Sequence, residues 1–223
     1  MLSGEAVVAI WNDIASEGRA EFYAWHLHEH MPERAGIPGF RRGRRYIAAD
    51  VVTRPEFLTL YEADTMQVLQ GSDYLARLEA PTPWTRRATS AFRNTSRALA
   101  RVLESRGPGG GGVALTIRFD AAPGSHAMLL ALLRKAADAP RVTGAHLCVG
   151  DDAASVRQTA ESEGRSDLLT PPTAFAMIEA TDAEAVADLL PEAALRAAGA
   201  GGAMERGVYR LEYSRTKTAF AAG

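Results

Sequence analysis

The feature that most constrains this chain is a glycine run near its middle, Gly107-Pro108-Gly109-Gly110-Gly111-Gly112, flanked on both sides by the same order of elements. Glycine loses the most backbone entropy on ordering and proline lacks a donor, so the run favours neither helix nor strand. It divides the 223 residues almost equally, which predicts a linker between two similar units. Before it, β-branched and alternating segments predict strands at Glu5–Trp11, Phe40–Ala49, Glu56–Ala63 and Arg97–Leu103. Helical spacing predicts helices at Glu17–Met31, closing near Pro32, and at Thr65–Leu78; Trp84–Phe92 fits neither period. After it, strands are predicted at Val113–Phe119, Val142–Val149, Thr173–Ala180 and Val208–Tyr213. Helices are predicted at Ser125–Ala137 and Asp182–Ala198, the latter capped by Thr181 or Asp182 and ended by Gly199. Asp151–Thr170 is a polar insertion, read as a mobile loop with a short helix.

Each half therefore reads β-α-β-β-α-β, the split βαβ order of a ferredoxin-like unit. Such a unit covers one sheet face with its helices and needs a partner for the other. Two units in one chain can cover each other. The expected fold class is α+β, two tandem ferredoxin-like units forming an intramolecular dimeric α/β barrel. Residues 1–106 are the N-terminal unit with the candidate site, 107–112 the linker, 113–215 the C-terminal unit and 216–223 a tail. The runs Val7–Asp13 and Val113–Asp120 echo one another, as do Phe57–Ala63 and Phe175–Ala180, though the shared element order argues more strongly than these identities. Alternation along the strands sorts the residues by face. Val8, Ile10, Ile47, Ala49, Leu58 and Leu60 suit packing under helices. Val7, Ala9, Trp11, Phe40, Arg42, Arg44, Tyr46, Phe57, Thr59 and Tyr61 suit a barrel interior with room for a ligand.

Composition narrows the function classes. A net charge of -2 gives no global case for nucleic-acid or membrane binding, and the aromatics are not interleaved as on an RNA-binding sheet. No apolar run reaches the ~18 residues of a membrane span, and the N-terminus lacks a signal-peptide pattern. The single Cys148 excludes an intrachain disulfide and a cysteine zinc site. The glycine run lacks the Lys-Ser/Thr of a phosphate loop. A cytoplasmic protein is expected, without metal or cofactor, whose partner is a small hydrophobic or aromatic ligand; a homodimer through the helix faces is compatible with this.

Chemistry-bearing residues gather in the first half. His26 and His30, four apart, share a helix face, and Glu33 extends the stripe if the helix passes Pro32. Two His and a carboxylate can bind zinc or iron, but the stronger His-Glu-x-x-His pattern is absent. His28 points roughly 160° away, towards solvent. His30 is the best general acid/base, since an ordinary imidazole titrates near ~6.5, with Glu29 or Glu33 to orient it; the plainer reading is a histidine that closes the helix on a backbone carbonyl. Arg41, Arg42, Arg44 and Arg45 form a basic strand that could receive a carboxylate or phenolate, or simply pair with nearby acids. Trp11, Trp25, Tyr46, Tyr61, Tyr74 and Trp84 lie before the linker, against Phe119, Phe175, Tyr209, Tyr213 and Phe220 after it, a bias that fits core packing as well as a stacking pocket.

The segment Trp25-His26-Leu27-His28-Glu29-His30-Met31-Pro32-Glu33-Arg34, with Ile37-Pro38-Gly39-Phe40, Arg44-Arg45-Tyr46 and Phe57–Glu62, resembles the EthD-like branch of the dimeric α/β-barrel superfamily over roughly residues 5–105. The second half departs from that pattern, since its helix carries no His-Glu-His cluster. The resemblance implies a cavity for small, often aromatic or polyketide-like molecules. The function expected is a cofactor-independent enzyme working by acid/base chemistry, with His30, Tyr46 and Tyr61 catalytic and Trp11, Trp25, His26, Arg44, Tyr74 and Trp84 binding substrate. The alternative is a non-catalytic or stress-associated binder, with haem among its candidate ligands.

Overall fold

A computed structural model describes residues 1–217; the end of the expected tail, with Phe220, lies outside the described residues. The strands are β1 (Ala6–Ile14), β2 (Phe40–Ala48), β3 (Phe57–Ala63), β4 (Phe92–Arg106), β5 (Val113–Ala121), β6 (Val142–Gly150), β7 (Leu168–Leu169), β8 (Ala174–Ala180) and β9 (Ala200–Thr216). The helices are α1 (Arg19–Trp25), which runs through a π-helical turn (His26–His30) into α2 (Met31–Gly36), then α3 (Met66–Gln70), α4 (Ser72–Glu79), α5 (Pro83–Thr89), α6 (His126–Ala137), α7 (Asp152–Ser155) and α8 (Glu192–Ala197).

The sheet order β1-β3-β2-β9-β5-β8-β6-β4 closes on itself through β4 against β1, giving an eight-stranded antiparallel barrel with β7 appended to β4. The first half contributes β4-β1-β3-β2 and the second β9-β5-β8-β6, the same order of equivalent strands, so the fold is α+β with two tandem ferredoxin-like units. Seams β2–β9 and β4–β6 join them. Helices cover the outside, and the barrel has no open edge among its eight strands.

Several segments differ from expectation for local reasons. Gly71 breaks Thr65–Leu78 into α3 and α4, and Pro191 leaves only a short 3₁₀ turn (Glu184–Val186) and α8 of the expected Asp182–Ala198 helix. Trp84–Phe92 is mostly helical: the Thr82 hydroxyl accepts the Thr85 N–H and Pro83 occupies the first turn. The linker is laid along the barrel mouth, where a Cβ at Gly111 would collide with the Ala180 carbonyl; glycine is required there for close approach.

The barrel interior is filled, which corrects the expectation of a ligand space inside it. Trp11, Tyr46, Leu58, Leu60, Cys148, Phe175, Met177 and Tyr209 pack there. Trp11 donates its indole N–H to the Thr116 hydroxyl at 3.2 Å, meets Phe175 edge-on at 5.2 Å and carries the Arg118 guanidinium over its ring at 4.9 Å. The face assignment holds for β1 and inverts for β3. Trp11 faces Leu58 and Ala9 faces Leu60, so those leucines point inward, while Thr59 and Tyr61 lie beside Ile10 and Val8 under the helices. Phe40 also joins the helix side, because a bulge between Phe40 and Arg42 resets the alternation of β2.

Arg44 lies inside the barrel and is an ion-pair centre, not a substrate contact: its guanidinium reaches Glu62 at 2.9 Å and also Glu179, both carboxylates fully buried. His146 meets Glu179 from the other side at 3.0 Å. The registers make these equivalent positions, since Arg44 faces Leu60 two residues before Glu62, and His146 faces Met177 two residues before Glu179. Burial pushes the His146 imidazolium down, while the His146 and Arg44 donors hold Glu179 at about 2.

Candidate functional site

The cavity of interest lies outside the barrel, between the first half's sheet and its helices. Its volume is about 390 Å³, within the range of small-molecule sites. The helix that covers it carries the π turn, closed by the Met31 N–H on the His26 carbonyl. Proline has no N–H to donate and its ring crowds the carbonyl four residues back, so the wider turn beside Pro32 lets the helix continue to Gly36 instead of ending there. Gly43 on β2 completes the arrangement: a Cβ there would lie 2.1 Å from the Met31 sulfur, so the helix packs closely on the strand at this point.

Within this turn His26 and His30 point the same way, with ring centroids 5.6 Å apart, both buried. His28 is exposed. His26 is held at both nitrogens, Nδ1 3.4 Å from Arg45 and Nε2 3.5 Å from the Thr59 hydroxyl. Arginine can only donate, so Nδ1 is the acceptor and Nε2 carries the proton. Burial and the Arg45 charge drop the His26 pKa to about 3. His30 lies under Trp25, ring centroids 4.2 Å apart, and 6.0 Å from Tyr61. Its Nδ1 and the Tyr61 hydroxyl are buried with no hydrogen-bond partner among the described residues. Burial, then the positive Arg34 and neighbouring His26, hold the His30 imidazolium well below its ordinary range, and burial pushes the Tyr61 phenol up. At neutral pH the site therefore presents a neutral imidazole able to accept a proton, a neutral phenol able to donate one, and the Arg34 cation.

Neither carboxylate expected to orient His30 does so. Glu33 pairs with Arg34 at 2.9 Å. Glu29 accepts from the Thr82 and Thr85 hydroxyls at 2.6 and 3.1 Å, and the Thr85 hydroxyl in turn accepts the Trp25 indole N–H at 3.2 Å. Glu29 thus fixes Trp25, the ring stacked on His30. Among the described residues no group of three or more His, Cys, Asp or Glu is placed to hold a metal ion.

The roof comes from the second half. The segment after α7 crosses over to the first unit, with the Glu161 N–H on the Leu78 carbonyl at 3.0 Å and the Thr95 N–H on the Asp167 carbonyl at 2.8 Å. The Glu161 carboxylate closes on Arg34, and Arg165 bonds Asp167 at 2.7 Å. The polar insertion is therefore tied down as a cover, and the cavity is built by both halves.

Of the residues singled out from sequence, His30, Tyr61, Trp25, His26 and Tyr74 converge on this cavity. Tyr46 and Trp11 do not, because they belong to the filled interior; Arg44 does not, because it holds Glu62 and Glu179; Trp84 packs against the cluster of Phe22, Trp25 and Phe92 and is not in the lining. Arg34, Thr59, Asn12 and Arg97 also line the cavity; of these the sequence points only to Thr59, through its place in the polar and aromatic face of β3. The signal available for Asn12 and Arg97 was a polar residue on the helix-facing side of an otherwise apolar strand.

No family model and no curated protein matches the sequence. Solved structures do. An anthrone oxidase-like protein superposes with a TM-score of 0.64 at 12% identity, covering 98% of this chain and 95% of its own. A candidate monooxygenase from Fusobacterium nucleatum gives 0.54 at 8%, covering 97% and 96%, and one from Lactobacillus acidophilus 0.53 at 11%, covering 95% and 96%. At such identities the likeness establishes the shared dimeric α/β-barrel architecture.

Proposed function

We propose that the chain is an EthD-like small-molecule enzyme that performs acid/base chemistry on an aromatic or polyketide-like compound, using its own side chains without a cofactor. The observation that carries this reading is the presence of His30 and Tyr61, each with a polar side-chain atom unpartnered among the described residues, in the lining of a cavity that also holds Arg34. Leaving such atoms unpaired costs about 1–3 kcal/mol each, a cost a bound hydroxyl or carbonyl would offset. The His30 imidazole takes a proton from an acidic phenolic O–H or an activated C–H of the substrate, and the anion formed beside it offsets the burial and the Arg34 charge that otherwise keep the imidazolium low. The oxyanion left behind is held by the Tyr61 hydroxyl and the Arg34 charge. Return of the proton from the imidazolium to another atom completes an isomerisation or ring closure. His26 and Trp25 position His30 and flank the substrate, with Tyr74 on the far wall. Barrel closure is intramolecular, so a homodimer would add no strand to it. The anthrone oxidase-like name of one neighbour is compatible with an aromatic polyketide substrate.

The test is turnover of a panel of phenolic and polyketide-like compounds by native protein and by His30→Ala. Loss of at least about a hundredfold in kcat/KM is expected for removal of a general base; undiminished turnover would overturn the assignment. An absorbance scan and mass spectrometry of the purified protein accompany it. A co-purified ligand, haem included, that no member of the panel displaces and no turnover accompanies would instead establish a sequestering protein.

A further inference from the structure

The charges around the cavity are not all paired: four carboxylates, Glu33, Glu161, Glu163 and Asp167, accompany its arginines, yet two of the cations stand outside any ion pair among the described residues. Four arginines line it, Arg34, Arg97, Arg157 and Arg165. Arg34 is paired with Glu33 and Glu161, and Arg165 with Asp167. Arg97 has no carboxylate within ion-pair distance among the described residues; its one hydrogen bond goes to the Tyr74 hydroxyl at 2.9 Å. It rises from the floor and is partly buried, so its side chain is not simply a solvated surface charge. The exposed Arg157 stands on the roof without a carboxylate partner either.

The strand registers fix where Arg97 sits relative to the reactive pair. Arg97 lies beside Ile10, and Ile10 beside Thr59, so one row crosses β4, β1 and β3. Tyr61 is two residues along β3 from Thr59, on the same face. Two strand spacings separate the Arg97 and Thr59 backbones by about 10 Å. Between them the floor is Ile10, with Phe22 and Phe92 alongside, and Leu78, Leu168 and Leu169 border the space. The arrangement is a largely apolar stretch with a cation outside any ion pair on one side and His30 and Tyr61 on the other.

Building on the function proposed above, we infer that the substrate is an aromatic carboxylate whose acid group is held by Arg97, with Arg157 approaching from the roof, and whose hydroxyl or carbonyl reaches His30 and Tyr61. A guanidinium and a carboxylate form a bidentate charge-assisted pair, the strongest anchor available to so small a site. The carboxylate chooses the direction in which the ring system enters and takes no part in the proton transfer. Arg97 is thus a specificity-determining residue.

The experiment is calorimetric titration with two probes, a hydroxynaphthoate bearing its carboxylate on the ring remote from the hydroxyl, and the matching naphthol. Native protein should bind the acid at least about tenfold more tightly than the naphthol, the worth of one hydrogen-bonded charge pair. Arg97→Gln should shrink that preference to less than about threefold, and Arg97→Lys should keep a part of it. Each variant's circular dichroism spectrum and melting temperature are recorded, so that a folding defect is not read as lost recognition. A naphthol bound as well as the acid by native protein, or a preference that survives in Arg97→Gln, would overturn the carboxylate assignment and leave the His30 site standing. Binding of neither probe would overturn both.

Discussion

The two halves build the same unit and use the space between sheet and helix in opposite ways. In the second half, Leu115, Ile117, Phe119, Leu147, Ile178, Leu129 and Leu133 close that space completely. In the first half the corresponding layer holds Asn12, Thr59, Tyr61, His26, His30 and Arg97 and leaves a cavity. The covering helices differ to match: α6 is regular and leucine-rich, whereas the helix from α1 to α2 carries a π turn and two histidines. One unit fills this layer with apolar side chains; the other has polar atoms on His30 and Tyr61 without a partner among the described residues. The closed unit also supplies the roof of the open one, so the asymmetry is a division of labour across the barrel.

If the halves differ only on their helix sides, the shared interior should matter to both alike, and the largest effect should come from there. Arg44→Gln leaves the buried Glu179 without its guanidinium partner, while Glu62 keeps Arg42 at 2.9 Å. A loss of about 3–5 kcal/mol in denaturant unfolding is expected, the magnitude for breaking a buried ion pair from one side. If stability held and only ligand affinity changed, Arg44 would belong to a binding site after all. Next in size is a matched pair of truncations. Leu133→Ala on the filled side should cost about 3 kcal/mol, and Leu78→Ala, beside the existing cavity, clearly less, because the tightly packed site has more contacts to lose. Equal losses would mean that the two helix layers are equally packed and would break the comparison.

The order of elements and the closed barrel were legible because alternation and helical spacing survive in short windows, and because two like units in one chain have few ways to bury both sheet faces. The clustering of His26 and His30 was legible for the same reason, as residues four apart meet on α and π turns alike. The face of β3 was not. The chemistry of its aromatic and polar residues suggests an inward face, but the register that pairs Trp11 with Leu58 is set by long-range pairing, and one residue of phase moves Tyr61 from barrel to cavity. That error displaced the site to the wrong side of the sheet, and with it Tyr46, Trp11 and Arg44. The roof was equally hidden, because no local pattern in Asp151–Thr170 says that Glu161 will find Arg34 across the molecule.

A third measurement concerns pH. An unfolded histidine takes up a proton near ~6.5, whereas His26 in the folded chain resists until about 3. Between these values the unfolded state binds more protons, so stability falls as pH drops through the window and is flat above it. For His26 alone the loss is about 2 kcal/mol by pH 5, and His30 and His146 act in the same direction. Glu179, held at about 2, adds its own loss only below its ordinary value of 4.5. Urea midpoints at intervals from pH 7 to pH 5 should therefore decline, and His26→Gln should flatten the decline. A native profile that stayed level would mean that these imidazoles are already protonated or exposed, and the open half would not be the desolvated pocket described.

The smallest effect separates cavity from interior most sharply. Tyr61 and Tyr46 each bury a hydroxyl with no partner among the described residues, the first on a residue that lines the cavity and the second inside the barrel. Deleting an unsatisfied buried hydroxyl removes its desolvation cost, so Tyr61→Phe and Tyr46→Phe should each gain roughly 1 kcal/mol of stability. Their effects on ligand should part. Tyr61→Phe should weaken a phenolic ligand about tenfold, since the hydroxyl exists to meet it, while Tyr46→Phe should leave affinity within about twofold of native. A gain in stability bought with a loss of binding is what a preorganised site predicts. If Tyr61→Phe instead lost stability, its hydroxyl would have a partner inside the fold, and the open half would be as self-satisfied as the closed one.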